Sequence, residues 1–247
     1  MKSLLKSLLF NPVLLSFLSR LCAHPGIRRR IVSYRYLEGC GLELGALHNP
    51  LPVRPSVMVR YVDQVEPRAL KSHYWWLKSG TIAPVDIVDD GETLSSVDGA
   101  SQDFVIANHV FEHLESPLLA LTNWLRVTRA GGVIFLSVPD KDKTFDRPRP
   151  VTSLEHLLTD LREGPQVSRR QHYLEWVTQV GDMAGREAEE HARHLMETRH
   201  SIHFHCWDPG ALLELLVLCR SELDLPMRVE LFEAQGNEVL VVIRKVN

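Results

Sequence analysis

From residue 40 onward, short apolar runs rich in β-branched residues alternate with longer stretches of helical periodicity. That alternation is the pattern of a parallel sheet linked by crossover helices. Strands are predicted at 41–44, 57–62, 85–88, 103–107 and 133–138. Leu70, Tyr74 and Leu77 recur at helical spacing between the second and third. Ser116-Pro117 offers an N-cap with proline at the first helical position, and Leu118, Leu121, Trp124 and Leu125 form the apolar face behind it. Gly131-Gly132 is expected to end that helix.

Past the fifth strand the rhythm changes. Residues 140–206 are polar, with helical stretches near 153–162 and 169–194, and so long an insertion beside a sheet edge suits a lid or binding element. Alternation then resumes. Asp208-Pro209 caps an apolar helix from 210 to about 223, and strands at 228–233 and 238–245 flank a turn at Gly236-Asn237, which predicts an antiparallel hairpin.

The first 38 residues read as a helical cap, and 39–247 as the main domain. Leu4, Leu5, Leu8 and Leu9 line one helix face, and Leu14, Leu15, Leu18 and Leu21 line a second beyond the Asn11-Pro12 break. Lys6 and that break argue against a signal peptide, and the run is too short and interrupted to span a bilayer. Covering the core or a pocket is the expected role, with membrane-surface or homodimer contact as alternatives.

Composition narrows the function classes. Hydrophobic residues make up 45% and charged residues 24% of 247, the balance of a soluble domain with a sizeable core. A net charge of -3 gives no electrostatic footprint for nucleic acid. The basic clusters Arg28-Arg29-Arg30 and Arg147, Arg149, Arg169 and Arg170 read as solvated surface. Cys22, Cys40, Cys206 and Cys219 are widely spaced, which argues against a disulfide framework or thiolate zinc site and suits a cytoplasmic setting.

The chemistry concentrates in four ordered segments: Gly41-Leu-Glu-Leu-Gly45, Tyr61-Val-Asp63, Asp89-Asp-Gly-Glu-Thr-Leu94 and Asp103-Phe-Val-Ile-Ala-Asn-His-Val-Phe-Glu-His113. Arg126-Val-Thr-Arg-Ala-Gly-Gly132 and Phe135-Leu-Ser-Val-Pro139 follow. In order and spacing, over about residues 40 to 140, they resemble the class I S-adenosylmethionine-dependent methyltransferases, especially the small-molecule branch. The resemblance implies a Rossmann-like, seven-stranded, mostly parallel α/β sheet ending in an antiparallel hairpin. It also implies S-adenosylmethionine as cofactor, bound at the carboxyl ends of the strands.

On that resemblance Glu43 lies near the methionine end of the cofactor, and Gly45 lets the backbone approach it. Leu47 and Asn49 stand where further glycines often occur, and no G-x-G-x-x-G motif is present, which lowers a dehydrogenase reading. Asp63, 20 residues after Glu43, is placed to accept from the ribose hydroxyls; Asp90 and Gly91 are placed for adenine. Ala46, Asn49, Gln64, Glu92 and Asn108 complete the expected cofactor set with His109. A turn or helix-capping role is the alternative for Asp63 and Asp90.

His109 is the first candidate for a general base should the acceptor be a hydroxyl. His109, Glu112 and His113 share a helix face, but no metal is expected there. The acceptor is expected to meet His113, Asp140, Phe145, Asp146, His156, His203 and His205, and to be a small molecule that is sugar-like or charged. Two alternatives stay open: methylation of a macromolecule, and a non-catalytic module that binds the cofactor.

Overall fold

The computed structural model describes residues 24–65 and 82–247. The helices expected over 1–21, and the one carrying Leu70, Tyr74 and Leu77, lie outside the described residues.

Helix α1 (Pro25–Tyr36) leads into β1 (Cys40–Leu44), β2 (Met58–Asp63), the two-residue β3 (Ile87–Val88) and β4 (Gln102–Asn108). Helix α2 (Pro117–Val127) and β5 (Thr128–Pro139) follow, and the chain closes with β6 (Met227–Gln235) and β7 (Glu238–Lys245). These strands form one seven-stranded sheet in the order β3-β2-β1-β4-β5-β7-β6. Pairings among β1 to β5 are parallel, while β7 runs antiparallel to both β5 and β6. The expected mostly parallel sheet with a closing hairpin is therefore what the chain forms. Strand order reverses between β1 and β4, so a crevice opens beyond their carboxyl ends.

Alternating side chains of β4 serve two layers. Val105 and Ala107 join Leu42, Leu44, Leu136 and Ile243 beneath α2 and a later helix, Pro209–Ser221. Phe104 and Ile106 face the other way, into a layer with Phe135, Val242 and Val32 of α1. Each large side chain buried this way contributes roughly 1.5–3 kcal/mol relative to exposure. Gly41 is required where β1 meets β4, since a Cβ there would stand 2.3 Å from the Phe104 carbonyl oxygen.

Gly131-Gly132 does not end α2. The helix stops at Val127 because Thr128 turns extended and its hydroxyl takes the Trp124 carbonyl at 2.6 Å. The glycines lie inside β5, at the irregularity that shifts its register against β4, with Gly131 at φ 77°.

After β5 the chain leaves the sheet at Pro139 and returns beside it, where Asp140 and Trp207 form a parallel bridge. Between them lie α3 (Leu154–Glu163), α4 (Arg169–Gln179) and α5 (Gly185–Glu197); α6 (Pro209–Ser221) then rejoins the main layer. The single helical stretch expected over 169–194 is two helices. Asp182 at φ 53° and Gly185 at φ 59° turn the chain between them. The insertion has its own small core of Tyr173, Val177, Ala188, Ala192, Ile202 and Phe204.

The basic clusters are also not simply solvated. Arg28 forks onto Glu233, Arg29 lies 3.4 Å from Glu238, and Arg169 and Arg170 pair with Glu115 and Glu189. Arg149 is buried between Asp146 and Glu175 and also donates to the carbonyls of His203 and Phe204. Charge run and solvation part company here because Arg28, Arg29, Arg149, Arg169 and Arg170 each meet an acid distant in sequence.

Candidate active site

The crevice is built from strand ends, because a strand that stops leaves its last side chains and carbonyls unpaired by the sheet. Glu43, one residue before the end of β1, is 1% exposed. Its Oε1 accepts from the Leu51 backbone at 2.8 Å, and its Oε2 is buried without a partner. Burial lifts its pKa to about 7 against the pull of the Leu51 N–H and the Arg29 charge.

Gly45 follows at φ 57°, its N–H held by the Val62 carbonyl. Leu47 adopts φ 47°, the left-handed conformation a glycine would take without cost. Ala46 accepts from the Asn49 N–H to close this turn. On β4, Asn108 accepts from Ser137 Oγ at 3.0 Å, and its Nδ2 is buried without an acceptor.

The next strand tips are more heavily engaged. Asp63, ending β2, accepts from the Val65 N–H at 3.0 Å. Asp90 caps its own turn through Glu92 N and Thr93 N, and takes a 3.2 Å bond from Gln64 Nε2. Glu92 turns to α2, where Oε1 accepts from Glu115 N and Ser116 N and so serves the helix start. Gly91 has open space where a Cβ would stand, and its carbonyl takes the Trp124 indole N–H.

His109 sits past the end of β4 at φ 52°. Its Nε2 is 2.7 Å from Glu238, at the start of β7, and its Nδ1 is 3.6 Å from the buried Glu112. Burial opposes its charge, but the two neighbouring carboxylates outweigh it and lift the pKa to about 9. At neutral pH the ring is therefore imidazolium, a donor before it is a base. His113 is neutral by contrast. Burial holds its pKa below the ordinary value, and Nδ1 pairs with the Ile202 carbonyl at 2.8 Å.

His113 and His203 meet edge to face at 4.6 Å, and the 53% exposed Phe145 packs against His203 at the same separation with its ring tilted by 41°. His203 is held by Asp146. Burial would raise the Asp146 carboxyl, but His203 and Arg149 hold it below the usual range. Phe145, Asp146, His113 and His203 thus form one group, joined through His113 and His203 to the buried Glu112 that His109 also faces.

Asp140 instead caps the short turn Lys141–Lys143 and pairs with Lys143. His156 and His205 lie apart from this group. His205 is fully buried and stacks on Trp207, while His156 faces His172.

Three partners were not singled out from the sequence. Glu238 reaches His109 from 129 residues away, a pairing only the hairpin creates. His172 and Asp160 join His156 across the insertion; Asp160 at i+4 from His156 was the visible signal.

Residues 56–136 match the family model described as a methyltransferase domain. No curated protein matches the sequence. Among solved structures, a candidate zinc-dependent alcohol dehydrogenase from Rhodobacter sphaeroides aligns at 13% identity and TM-score 0.53, over 91% of this chain and 92% of the other. The complex of the Haloferax volcanii Trm112 methyltransferase activator with a candidate methyltransferase aligns at 12% identity and TM-score 0.51, over 93% and 92%. An S-adenosylmethionine-dependent methyltransferase from Methanosarcina mazei aligns at 14% and 0.48, over 90% and 98%, a match too loose to add to the first two. At such identities the likeness concerns the fold. The methyltransferase-domain match thus falls on residues 56–136, which run from β2 to β5 in a sheet of the order the resemblance implies.

Proposed function

We propose that the chain methylates a small molecule held between the tips of β4 and β5 and the insertion, with the cofactor lying across β1, β2 and β4. The observation that carries the reading is the pair of buried, unpartnered polar atoms at adjacent strand ends, Glu43 Oε2 and Asn108 Nδ2. An acceptor and a donor left unpaired in a protein interior are costly, by about 1–3 kcal/mol each, unless a ligand completes them. The amino-acid end of S-adenosylmethionine offers an ammonium and a carboxylate, the complement of that pair. Asp63 is assigned to the ribose hydroxyls. Asp90, Gly91 and Gln64 border the adenine, with Asp90 keeping its turn while its Oδ2 edge faces Gln64.

When bound, the cofactor supplies an electrophilic methyl group on a sulfonium, so the protein has mainly to align the acceptor. Phe145 gives an exposed aromatic face for a sugar-like or ring-shaped acceptor, and His203 and Asp146 give polar contacts beside it. For a hydroxyl acceptor, His109 takes the proton once it has released its own to solvent, a step that the hydrogen bond to Glu238 holds back at neutral pH.

Two measurements test the reading. Calorimetry is expected to show S-adenosylmethionine binding, and Glu43→Gln to weaken it at least tenfold; NAD binding in its place overturns the cofactor assignment. Incubating the chain with methyl-labelled cofactor and fractionated cell extract is expected to label low-mass compounds. Label confined to protein or nucleic acid overturns the acceptor class.

A further inference from the structure

A second histidine cluster lies inside the insertion, away from the crevice. His156 and Asp160 share one face of α3 at i and i+4, His172 comes from α4, and His205 from the extended stretch before Trp207. A ligand nitrogen from each of the three histidines falls within 4.8 Å of the others. His156 Nε2 and His172 Nε2 face each other at 2.9 Å. Asp160 Oδ2 stands 3.0 Å from the first and 3.9 Å from the second.

Hydrogen bonding does not satisfy this group. Asp160 Oδ2 and His205 Nδ1 are both buried without a hydrogen-bond partner. His205 Nε2 lies 3.3 Å from the Glu115 carbonyl, which calls for an N–H on that nitrogen and leaves Nδ1 as a bare lone pair. Asp160 Oδ1 is taken by the Ser168 hydroxyl at 2.6 Å, which orients Oδ2 toward the histidines. The interior therefore gathers lone pairs and lacks protons to share among them.

An imidazole whose far nitrogen is fixed by a carbonyl, as His205 is by Glu115, is the form in which histidine binds metal.

We propose that His156, His172 and His205, with the Asp160 carboxylate as fourth ligand, form a divalent transition-metal site, most suited to zinc, that staples the insertion together. Three nitrogens and one oxygen suit zinc, for which bonds of about 2.0–2.1 Å put tetrahedral ligand atoms roughly 3.3 Å apart. The separations among His156, His172 and Asp160, 2.9 to 3.9 Å, bracket that value, and the His205 nitrogen lies within 4.8 Å of those of the other two histidines. Four protein ligands leave no open position, which assigns the metal a structural role. A cleft lined by Ser153, His156, His172, Glu175 and Phe204 gives the ion a way in.

The test uses the full chain carrying no polyhistidine tag. Elemental analysis after dialysis against zinc and then buffer is expected to find about one zinc per chain, as one closed site requires. Cobalt(II) loading is expected to give visible absorption bands of a tetrahedral centre. Asp160→Asn and His156→Gln are each expected to lower zinc affinity at least tenfold and to abolish the bands, while His113→Gln and His203→Gln leave both intact. The wild-type measurement stands even where a variant fails to fold. Folded wild-type chain that takes up no zinc or cobalt overturns the proposal. So does metal that survives His156→Gln and Asp160→Asn but is lost with His113→Gln, which would place the ion beside Glu112.

Discussion

Glu43 and His109 show how one strand end changes a residue's chemistry. A carboxyl whose pKa is raised from 4.5 to about 7 holds its proton in the folded chain over a window where the unfolded chain has lost it. Stability therefore falls as pH rises from about 4.5 to 7, by about 3 kcal/mol from this group, and then levels off. Glu43→Gln is expected to remove that slope in denaturant titrations at successive pH values while weakening cofactor binding. A mutant slope equal to that of the wild type would show that Glu43 is not the group responsible. His109 has the same sign by the opposite route. Its raised pKa stabilises the fold fully below 6.5, and that contribution is lost as pH climbs toward 9. If His109 serves as base, kcat/KM is expected to rise with pH through about 9, and His109→Gln to flatten the profile. A wild-type profile already flat there would remove the base role.

At the scale of elements, one buried guanidinium ties the segments of the insertion to one another. Arg149 holds Asp146 and Glu175 and caps two carbonyls in the stretch that carries His203 and His205. Arg149→Ala leaves a buried carboxylate uncompensated, so a loss of about 3–5 kcal/mol is expected in urea unfolding. Hydrogen exchange is expected to localise the loosening to the insertion and to spare β4 and β5. Uniform loosening would mean that the insertion and sheet unfold as one unit. Gly41→Ala tests the sheet itself. Its Cβ would meet the Phe104 backbone, which cannot yield, so soluble yield or melting temperature is expected to drop sharply. Patterning had located both helix-rich insertion and strands. It misplaced the end of α2, because Thr128 competes with Gly131 for that role through a side-chain bond that periodicity does not register.

For the whole molecule, the crevice and the core share the same strands, so ligand binding and folding are linked. S-adenosylmethionine at one hundred times its dissociation constant is expected to add about 2.7 kcal/mol. For a chain of this size that raises the melting temperature by roughly 5–10 °C, measurable by calorimetry. NAD at the same concentration is expected to leave it unchanged, and an equal shift with NAD would overturn the cofactor assignment.

The sequence alone determined the sheet, its closing hairpin, the insertion and the acids at the strand ends. These follow from local periodicity and short spacings, which the backbone obeys before distant parts meet. Tertiary structure alone decided the partners. It set Glu238 against His109, turned Asp90 and Glu92 toward capping, buried Arg149, and drew His172 and His205 together across the insertion. The physical reason is that burial and pairing depend on which surfaces come into contact. Residues far apart in the chain acquire their charge states and roles only once the two layers and the insertion have closed around them.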